Sequence, residues 1–377
     1  MKRPKSLLLI YYLGFLCSMS TGSYEVLIPV YAQILGASYF DIGIIGTLGG
    51  IPTTAFPIMV GSLSDKYGRK KFILAASLIC TLIPLFLSKA TQVIHVAIAK
   101  FIVAIIYAVL WPTMEAFLSD ITDISERNSA VGRLIFSSGL GFFIGPFLGG
   151  FISENFSFSV LFFIASFLGF LAFLGTLIIH EEKRIKIAEF SFSKDLLKRL
   201  KDLVPIFIIA IVCNMSLSLI LNIFPAFAYD KGLSNFYIGA LFSIFEITRI
   251  ITSLQLRIFI KIGEKNLLLI GTLAQATSLL FIAHLINSYI ALILSMIVIG
   301  FGFGVVFPLT ISLTSRKAPE GKVGSTIGIL ETSFGFGWLI TPLVTGFIAN
   351  SFNPSLSFLF ISFIGFLALI MFIFHKA

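Results

Sequence analysis

The chain of 377 residues is 57% hydrophobic and only 12% charged, with a formal net charge of +9 at pH 7. Because soluble domains contain about a quarter charged residues, this composition excludes an ordinary soluble protein and indicates an integral membrane protein. The basic residues are concentrated in the gaps between long apolar runs, which argues against a nucleic-acid partner. No His or Cys cluster has metal-ligand spacing, so we expect neither a metal site nor a bound cofactor.

Twelve apolar runs approach or exceed the ~20 helical residues that are needed to cross a hydrocarbon core. Backbone polar groups in lipid must be satisfied internally, so the runs are predicted to be helices. The predicted spans are 7–35, 42–63, 72–87, 93–118, 130–152, 158–179, 204–229, 237–256, 267–286, 289–314, 323–349 and 356–374.

The distribution of Lys and Arg among the gaps predicts the orientation of the chain. Alternate gaps, together with both termini, hold nearly all of these residues, whereas the other gaps hold only Lys89 and Lys231. Cytoplasmic loops are enriched in Lys and Arg. We therefore expect a multi-pass protein of the plasma membrane with both termini in the cytoplasm.

The two halves of the sequence resemble each other at a spacing of 196 residues, so that Cys17 recurs as Cys213 and Pro146 as Pro342. Two six-helix halves in the same orientation predict a pseudo-two-fold axis along the membrane normal, with a site between the halves. The predicted division is an N-terminal half 1–179, a cytoplasmic linker 180–203 and a C-terminal half 204–377.

A charged stretch, residues 61–71, separates the second run from the third and is predicted to be a short turn. The positive-inside bias explains its bases but not its acid, Asp65. Arg69 can bind a further carboxylate, and Asp120, at the inner end of the fourth run, is the expected partner. Glu115 lies so close to the same end that we assign it to the membrane interface.

Small residues line one face of the fifth run, where glycines recur every four positions. Such a groove allows another helix backbone to approach closely, and a proline inside it can bend the helix. A smooth groove with a bend suits an interface between helices that slide or rock against each other. Ordinary packing of small residues is the alternative interpretation, and it requires no exchange of substrates. The groove consists of Gly141, Gly145 and Gly149, the proline is Pro146, and Gly132 and Gly150 are further glycines of the same run.

Five ionisable residues lie inside the runs, where charges are costly, and they are therefore candidates for proton coupling or for the substrate cavity. The depths of Glu25 and Lys100 allow an ion pair, and Glu246 and Arg249 lie on one helix face and can pair directly. Glu331 is then the unmatched acid, which leaves one carboxylate able to carry a proton. The alternative is that all five form structural pairs.

Residues 61–71 match the pattern G-x-L-x-D-[RK]-x-G-R-[RK]-[RK], and the fifth run matches G-x8-G-x3-G-P-x2-G-G, at every defined position. With its twelve runs and two halves, the chain resembles the major facilitator superfamily (MFS), and within it the 12-helix drug:proton antiporters. The resemblance implies an all-α membrane fold of two pseudo-symmetric six-helix halves. It also implies a cytoplasmic gate at Gly61, Asp65, Gly68 and Arg69, here with Asp120.

The second half departs from the gate pattern. Lys261 stands at the position that corresponds to Asp65, and Gly263 and Glu264 are out of register. We therefore expect the gate in the first half only.

These observations predict a secondary active transporter of small organic molecules that works by alternating access. Efflux in exchange for protons is the expected mode, with Glu25 or Glu331 titrating and the proton gradient as the energy source. We expect a monomer whose partners are its substrate, protons and the lipid bilayer. The alternatives are a sugar or organic-anion facilitator or uptake symporter, in which Lys100 and Arg249 bind an anionic group, and a non-transporting receptor or assembly factor. An enzyme is not expected, since no nucleophile–base–orienter set occurs.

Overall fold

The computed structural model describes residues 3–180, 194–318 and 323–374, which fold into helices without a strand in these ranges. This confirms the predicted all-α architecture. The α-helices are α1 (Arg3–Glu25), α2 (Ile28–Ile34), α3 (Tyr39–Tyr67), α4 (Arg69–Leu87), α5 (Val93–Ile121), α6 (Ile124–Asn155), α7 (Phe158–Ile178), α8 (Lys194–Asn222), α9 (Phe224–Asp230), α10 (Asn235–Leu254), α11 (Leu256–Phe259), α12 (Glu264–Leu285), α13 (Tyr289–Lys317), α14 (Val323–Ser351) and α15 (Pro354–Phe374).

Within the described ranges, eleven helical segments are long and apolar enough to cross a membrane. They correspond to eleven of the twelve predicted spans. The remaining predicted span lies in α3 (Tyr39–Tyr67), part of which lies outside the residues that were searched for spans. With 29 residues, α3 is ~44 Å long at 1.5 Å per residue and exceeds the hydrocarbon thickness.

The first and seventh spans are each broken near one end by a proline. Pro29 lies in the first turn of α2, and a proline ring clashes with the carbonyl group four residues earlier. That residue is Glu25, where α1 ends. Pro225 has the same place in α9, just after α8 ends at Asn222. The break places the Glu25 carboxylate at the end of a helix inside the membrane span.

The predicted turn at residues 61–71 is wrong in its extent. Helix α3 continues through Gly61 and Asp65 to Tyr67, and α4 begins at Arg69. Gly68 alone separates the two helices, with φ +96°. Residues with a side chain rarely adopt this backbone conformation, whereas glycine reaches it without steric cost. Gly263 has φ +97° and directly precedes α12 in the same way.

The predicted linker 180–203 is described only in part, because residues 181–193 lie outside the described ranges. From Lys194 onward it is helical and continues into the seventh span as the first turns of α8.

The chain forms two compact units, and each combines segments that are distant in sequence. Their boundary near residue 188 falls within the predicted linker, and each unit takes up one short segment from the opposite half of the sequence. The first unit comprises Met1–Ala37, Leu48–Ala188 and Leu233–Ser243, and the second comprises Ser38–Thr47, Glu189–Gly232 and Ile244–Ala377.

Glycines at close helix contacts explain why these short segments join the units that they do. In the second unit, a Cβ at Gly43 would lie 2.5 Å from the carbonyl oxygen of Pro342. In the first unit, a Cβ at Gly239 would overlap the carbonyl oxygen of Pro146. The two contacts are related by the 196-residue repeat, so both units use the same glycine-to-proline packing.

Candidate functional site: intramembrane ion pairs and an Asp–Arg gate

The Glu25 carboxylate binds two side chains of helix α5. Lys100 Nζ lies 2.8 Å from Oε1, and the Tyr107 hydroxyl donates a hydrogen bond to Oε2. Residues seven apart fall on one face of a helix, so Lys100 and Tyr107 reach the same carboxylate. The predicted Glu25–Lys100 pair is thus confirmed. Tyr107 is an additional partner of Glu25, and the sequence does not reveal it because Tyr107 carries no charge.

The Lys100 side chain is 5% exposed and that of Glu25 14%, so both charges are largely removed from water. The aliphatic part of Lys100 packs against Gly49, where a Cβ would lie 3.1 Å from Lys100 Cε. A buried ammonium group requires a compensating partner. The Glu25 carboxylate is that partner for Lys100.

The second intramembrane pair lies in the part of helix α10 that belongs to the second unit. Arg249 Nη2 is 2.6 Å and its Nε 2.8 Å from Glu246 Oε2, which confirms the predicted pairing. The guanidinium carbon also lies 5.9 Å from the centre of the Phe303 ring, within the range of a cation–π contact. Both charges of this pair are compensated inside the unit.

Glu331 is exposed in helix α14, but it has an interaction partner. The prediction that Glu331 is the unmatched acid is therefore wrong. Glu115 differs, since its side chain is exposed and makes no hydrogen bond or ion pair with any described residue. It lies six residues before the end of α5. Glu115 is thus a carboxylate of α5 without an ion-pair partner among the described residues, whereas the sequence predicts only its place at the membrane interface.

Arg69, the first residue of α4, holds two carboxylates together. Its Nη2 lies 2.5 Å from Asp65 Oδ1 and its Nε 2.5 Å from Asp120 Oδ2, and Nη1 donates to Ser64 Oγ at 3.2 Å. The predicted partnership with Asp120 is confirmed. We refer to Asp65, Arg69 and Asp120 as the inner gate, after the role that the family resemblance implies; their ion pairs tie the ends of α3 and α5 to the start of α4.

The second unit contains a pair that resembles the inner gate but has the opposite polarity. Glu264, the first residue of α12, forms an ion pair with Arg316 near the end of α13. Arg316 occupies the position that corresponds to Asp120 by the 196-residue repeat. Acid and base thus exchange places in this pair, and the expectation of a gate in the first half only stays a prediction. The Arg316 side chain is 56% exposed, and exposed pairs contribute little to stability.

The glycines of α6 pack against the backbone of α1. A Cβ at Gly141 would lie 2.5 Å from the Phe15 carbonyl oxygen, and one at Gly145 would lie 2.8 Å from that of Met19. At Gly149 it would overlap the carbonyl oxygen of Ser23. The predicted groove is confirmed, and its occupant is the helix that carries Glu25. Ser23 lies only two residues before that carboxylate.

Two glycines of the α6 pattern do not belong to this groove. Gly132 has open space around it, because no atom lies within 4 Å of the position that an added Cβ would take. Gly150 instead faces Asn235 at the start of α10, whose carbonyl oxygen would lie 2.5 Å from an added Cβ. Gly132 and Gly150 therefore match the sequence pattern without contacting α1 at these positions. Within the described ranges, no group of His, Cys, Asp and Glu could hold a metal ion.

Comparison with known proteins agrees with this architecture. A family model of the Major Facilitator Superfamily matches residues 10–205 and again 206–377. Multidrug resistance protein 2 of Bacillus subtilis is 26% identical over 363 residues, which cover 93% of this chain and 90% of the relative. Quinolone resistance protein NorA of Staphylococcus aureus is 22% identical over 357 residues, which cover 91% of this chain and 89% of that protein. An uncharacterised MFS-type transporter of Methanocaldococcus jannaschii is 25% identical over 360 residues, which cover 93% of this chain and 92% of that protein.

Solved structures show the same fold at low identity. The nucleoside transporter NupG has a TM-score of 0.82 and 18% identity, with 98% of this chain and 100% of that chain covered. The peptide transporter POT in complex with sulfate has a TM-score of 0.84 and 14% identity, with coverage of 98% and 94%. On the family match over both halves, the chain belongs to the Major Facilitator Superfamily and is a multi-pass plasma-membrane transporter of a small molecule, not an enzyme.

Proposed function

We propose that this transporter exports small organic molecules in exchange for protons, and that Glu25 is the carboxylate that carries the proton. The observation that supports this proposal is the contact of Glu25 with both Lys100 and Tyr107 within a membrane span. The similarity to a multidrug resistance protein and to a quinolone resistance protein supports the direction of transport.

The chemistry of the Glu25 site suggests how a proton changes the state of the carrier. In the ionised form, the carboxylate compensates the buried Lys100 ammonium group. In the protonated form, Lys100 loses its counter-charge, which is costly in a medium with few polar partners. Any conformation that gives Lys100 another partner then gains population. Proton binding and substrate binding are coupled when each favours a different conformation.

The ion pairs argue against the organic-anion alternative. Lys100 is bound to Glu25 and Arg249 to Glu246, so both intramembrane bases are already compensated by carboxylates. An anionic substrate would have to break one of these pairs and leave an acid without its partner. Export of a neutral or cationic molecule requires no such exchange.

Proton release on substrate binding tests the proposal. Tetraphenylphosphonium, a cation without a titratable proton, is added to the detergent-solubilised transporter in weak buffer, and the pH change is measured between pH 5 and 8. We expect about one proton released per bound cation, and none from Glu25→Gln. Glu126→Gln, which alters an exposed acid of α6, should release protons as the parent does. Binding without proton release at every pH would contradict exchange.

We further propose that the inner gate closes the cytoplasmic side in one state of the cycle. Asp120→Arg is expected to lower the transport rate in proteoliposomes at least about tenfold, because it places like charges against Arg69. The double variant Arg69→Glu with Asp120→Arg should recover part of the rate, since it copies the polarity of Glu264 and Arg316. A single variant that transports at the parental rate would remove the proposed role.

A further inference from the structure

Helix α3 contains a buried proline, Pro52, in its interior. A proline has no N–H to donate to the carbonyl group four residues earlier, and that carbonyl group belongs to Leu48. The Gly50 carbonyl group accepts hydrogen bonds from two side-chain hydroxyls, from Thr53 at 3.0 Å and from Thr54 at 2.7 Å. Threonine hydroxyls bound to the helix backbone in this way often bend a helix, as a proline does. This proline turn is therefore a point at which α3 can bend.

The proline turn lies next to the point at which α3 passes from one unit to the other. The second unit takes the helix up to Thr47, and the first unit takes it from Leu48 onward. Helix α10 is divided at the equivalent place, between Ser243 and Ile244. A change of direction at Pro52 therefore occurs where α3 leaves one compact unit for the other.

The Lys100 side chain lies along the proline turn. A Cβ at Gly49 would be 3.3 Å from Lys100 Cγ, 3.7 Å from Cδ and 3.1 Å from Cε, so three consecutive carbons follow the α3 backbone. The Nζ atom is one bond beyond Cε and binds Glu25. Gly49 and Pro52 are three residues apart and share a face of α3. The Leu48 carbonyl oxygen points along the axis toward position 52, on the side of α3 that the lysine covers.

The surroundings of Glu25 make Lys100 the cation that a proton affects. Phe142 of α6 packs against Gly22 of α1, because a Cβ there would lie 3.0 Å from its ring, and the Phe162 ring of α7 lies 6.1 Å from that of Tyr24. The titratable groups around the site are Lys100, Tyr107, Tyr24, Cys17 and Cys80. Of these five, only the lysine carries a positive charge at neutral pH. A proton on Glu25 thus removes the counter-charge of one specific group.

The second half of the chain lacks this combination of proline and lysine. By the 196-residue repeat, Lys100 corresponds to Met296 and Pro52 to Thr248. Thr248 has a backbone N–H for the carbonyl group of Ile244, and its hydroxyl donates to the same carbonyl oxygen at 2.8 Å. The helix proline and the intramembrane lysine therefore occur together in one half and are replaced together in the other, which favours a joint role.

We propose that the Leu48 carbonyl group is a second acceptor for the Lys100 ammonium group, which turns to it when Glu25 takes up a proton. Helix α3 then bends at Pro52. Lysine has a flexible four-carbon stem and three donors, so this transfer requires no movement of α5. Gly49 lets the stem lie against α3, and the proline keeps the oxygen free of a helical donor; both are positioning residues. This inference rests on the proposed proton exchange and names the partner that the lysine gains.

Infrared spectroscopy of the protonated Glu25 carboxyl group tests this contact without any substrate. The carboxyl C=O band that the parent shows and Glu25→Gln lacks is followed in the detergent-solubilised transporter as the pH is lowered. Pro52→Ala gives the Leu48 carbonyl group a helical donor, and alanine is a strong helix former. It should lower the pH of half-protonation by about one unit, because a hydrogen bond to a charged group is lost from the protonated form. Pro84→Ala, at a proline inside α4, should leave this pH unchanged.

The Lys100→Met background separates the contact from a general effect on helix α3. There Pro52→Ala should not move the pH of half-protonation, since the ammonium group is gone. The same shift with and without Lys100 would overturn the proposal. So would an unchanged pH in Pro52→Ala alone, an outcome that does not depend on the folding of Lys100→Met. If Pro52→Ala shows the expected shift but the parent releases no proton on binding tetraphenylphosphonium, the exchange function fails while the contact of Lys100 with α3 stands.

Discussion

Gly149→Ala is expected to destabilise the transporter by about 1–3 kcal/mol, the usual range for overpacking in a well-packed interior. The added Cβ would overlap the carbonyl oxygen of Ser23 in α1. Because the obstacle is backbone, it cannot move aside as a flexible side chain would, and helices α1 and α6 must separate. The thermal unfolding midpoint in detergent, together with the initial transport rate, measures the effect.

The same substitution elsewhere in α6 provides a matched control with the opposite expected sign. Gly132 has no atom within 4 Å of an added Cβ, so Gly132→Ala should stabilise the helix by up to about 1 kcal/mol through helix propensity alone. Gly145→Ala, with its Cβ 2.8 Å from the Met19 carbonyl oxygen, should also be destabilising. Equal effects at Gly132 and Gly149 would contradict the groove.

Lys100→Met is the second change with a large expected effect, since it leaves the buried Glu25 carboxylate with Tyr107 alone. Loss of one partner from a buried ion pair typically costs about 3–5 kcal/mol. We expect the unfolding midpoint to fall and proton release at neutral pH to disappear. The double variant Lys100→Met with Glu25→Gln removes both charges and should recover most of the stability, but not the proton release.

Lys89→Met is the control for this experiment, because Lys89 is exposed in the same unit and surface substitutions usually change stability by no more than ~0.5 kcal/mol. If Lys100→Met is as stable as the parent, the Glu25–Lys100 pair does not have the proposed energetic importance. If the double variant is less stable than Lys100→Met, the loss comes from packing of the lysine side chain and not from the unpaired charge.

Sequence periodicity and charge alone determine much of this protein. A hydrocarbon core accepts only helices of sufficient length, so apolar runs predict the spans nearly one for one. Charges inside those runs must find partners, and for this reason the pairs of Glu25 with Lys100 and of Glu246 with Arg249 follow from depth and spacing. The partnership of Arg69 with Asp120 follows from their positions at neighbouring helix ends.

Contacts between segments that are distant in sequence are decided only by the tertiary structure. Tyr107 is an ordinary aromatic residue of a membrane helix until its hydroxyl is placed at Glu25, and Glu331 has no evident partner until its neighbours are known. The reversed pair of Glu264 and Arg316 escapes a position-by-position comparison, because its acid is out of register with Arg69 and the charges have changed places.

The sequence by itself therefore determines the class of the protein, its helices and the residues that must be compensated in lipid, because these depend on local composition and on the solvent. The tertiary structure alone decides that Gly132 is open whereas Gly149 contacts α1, and that the Tyr107 hydroxyl of α5 reaches the Glu25 carboxylate of α1. These facts depend on which helix faces which at distances of a few ångströms, and a side-chain pattern along one helix does not contain that information.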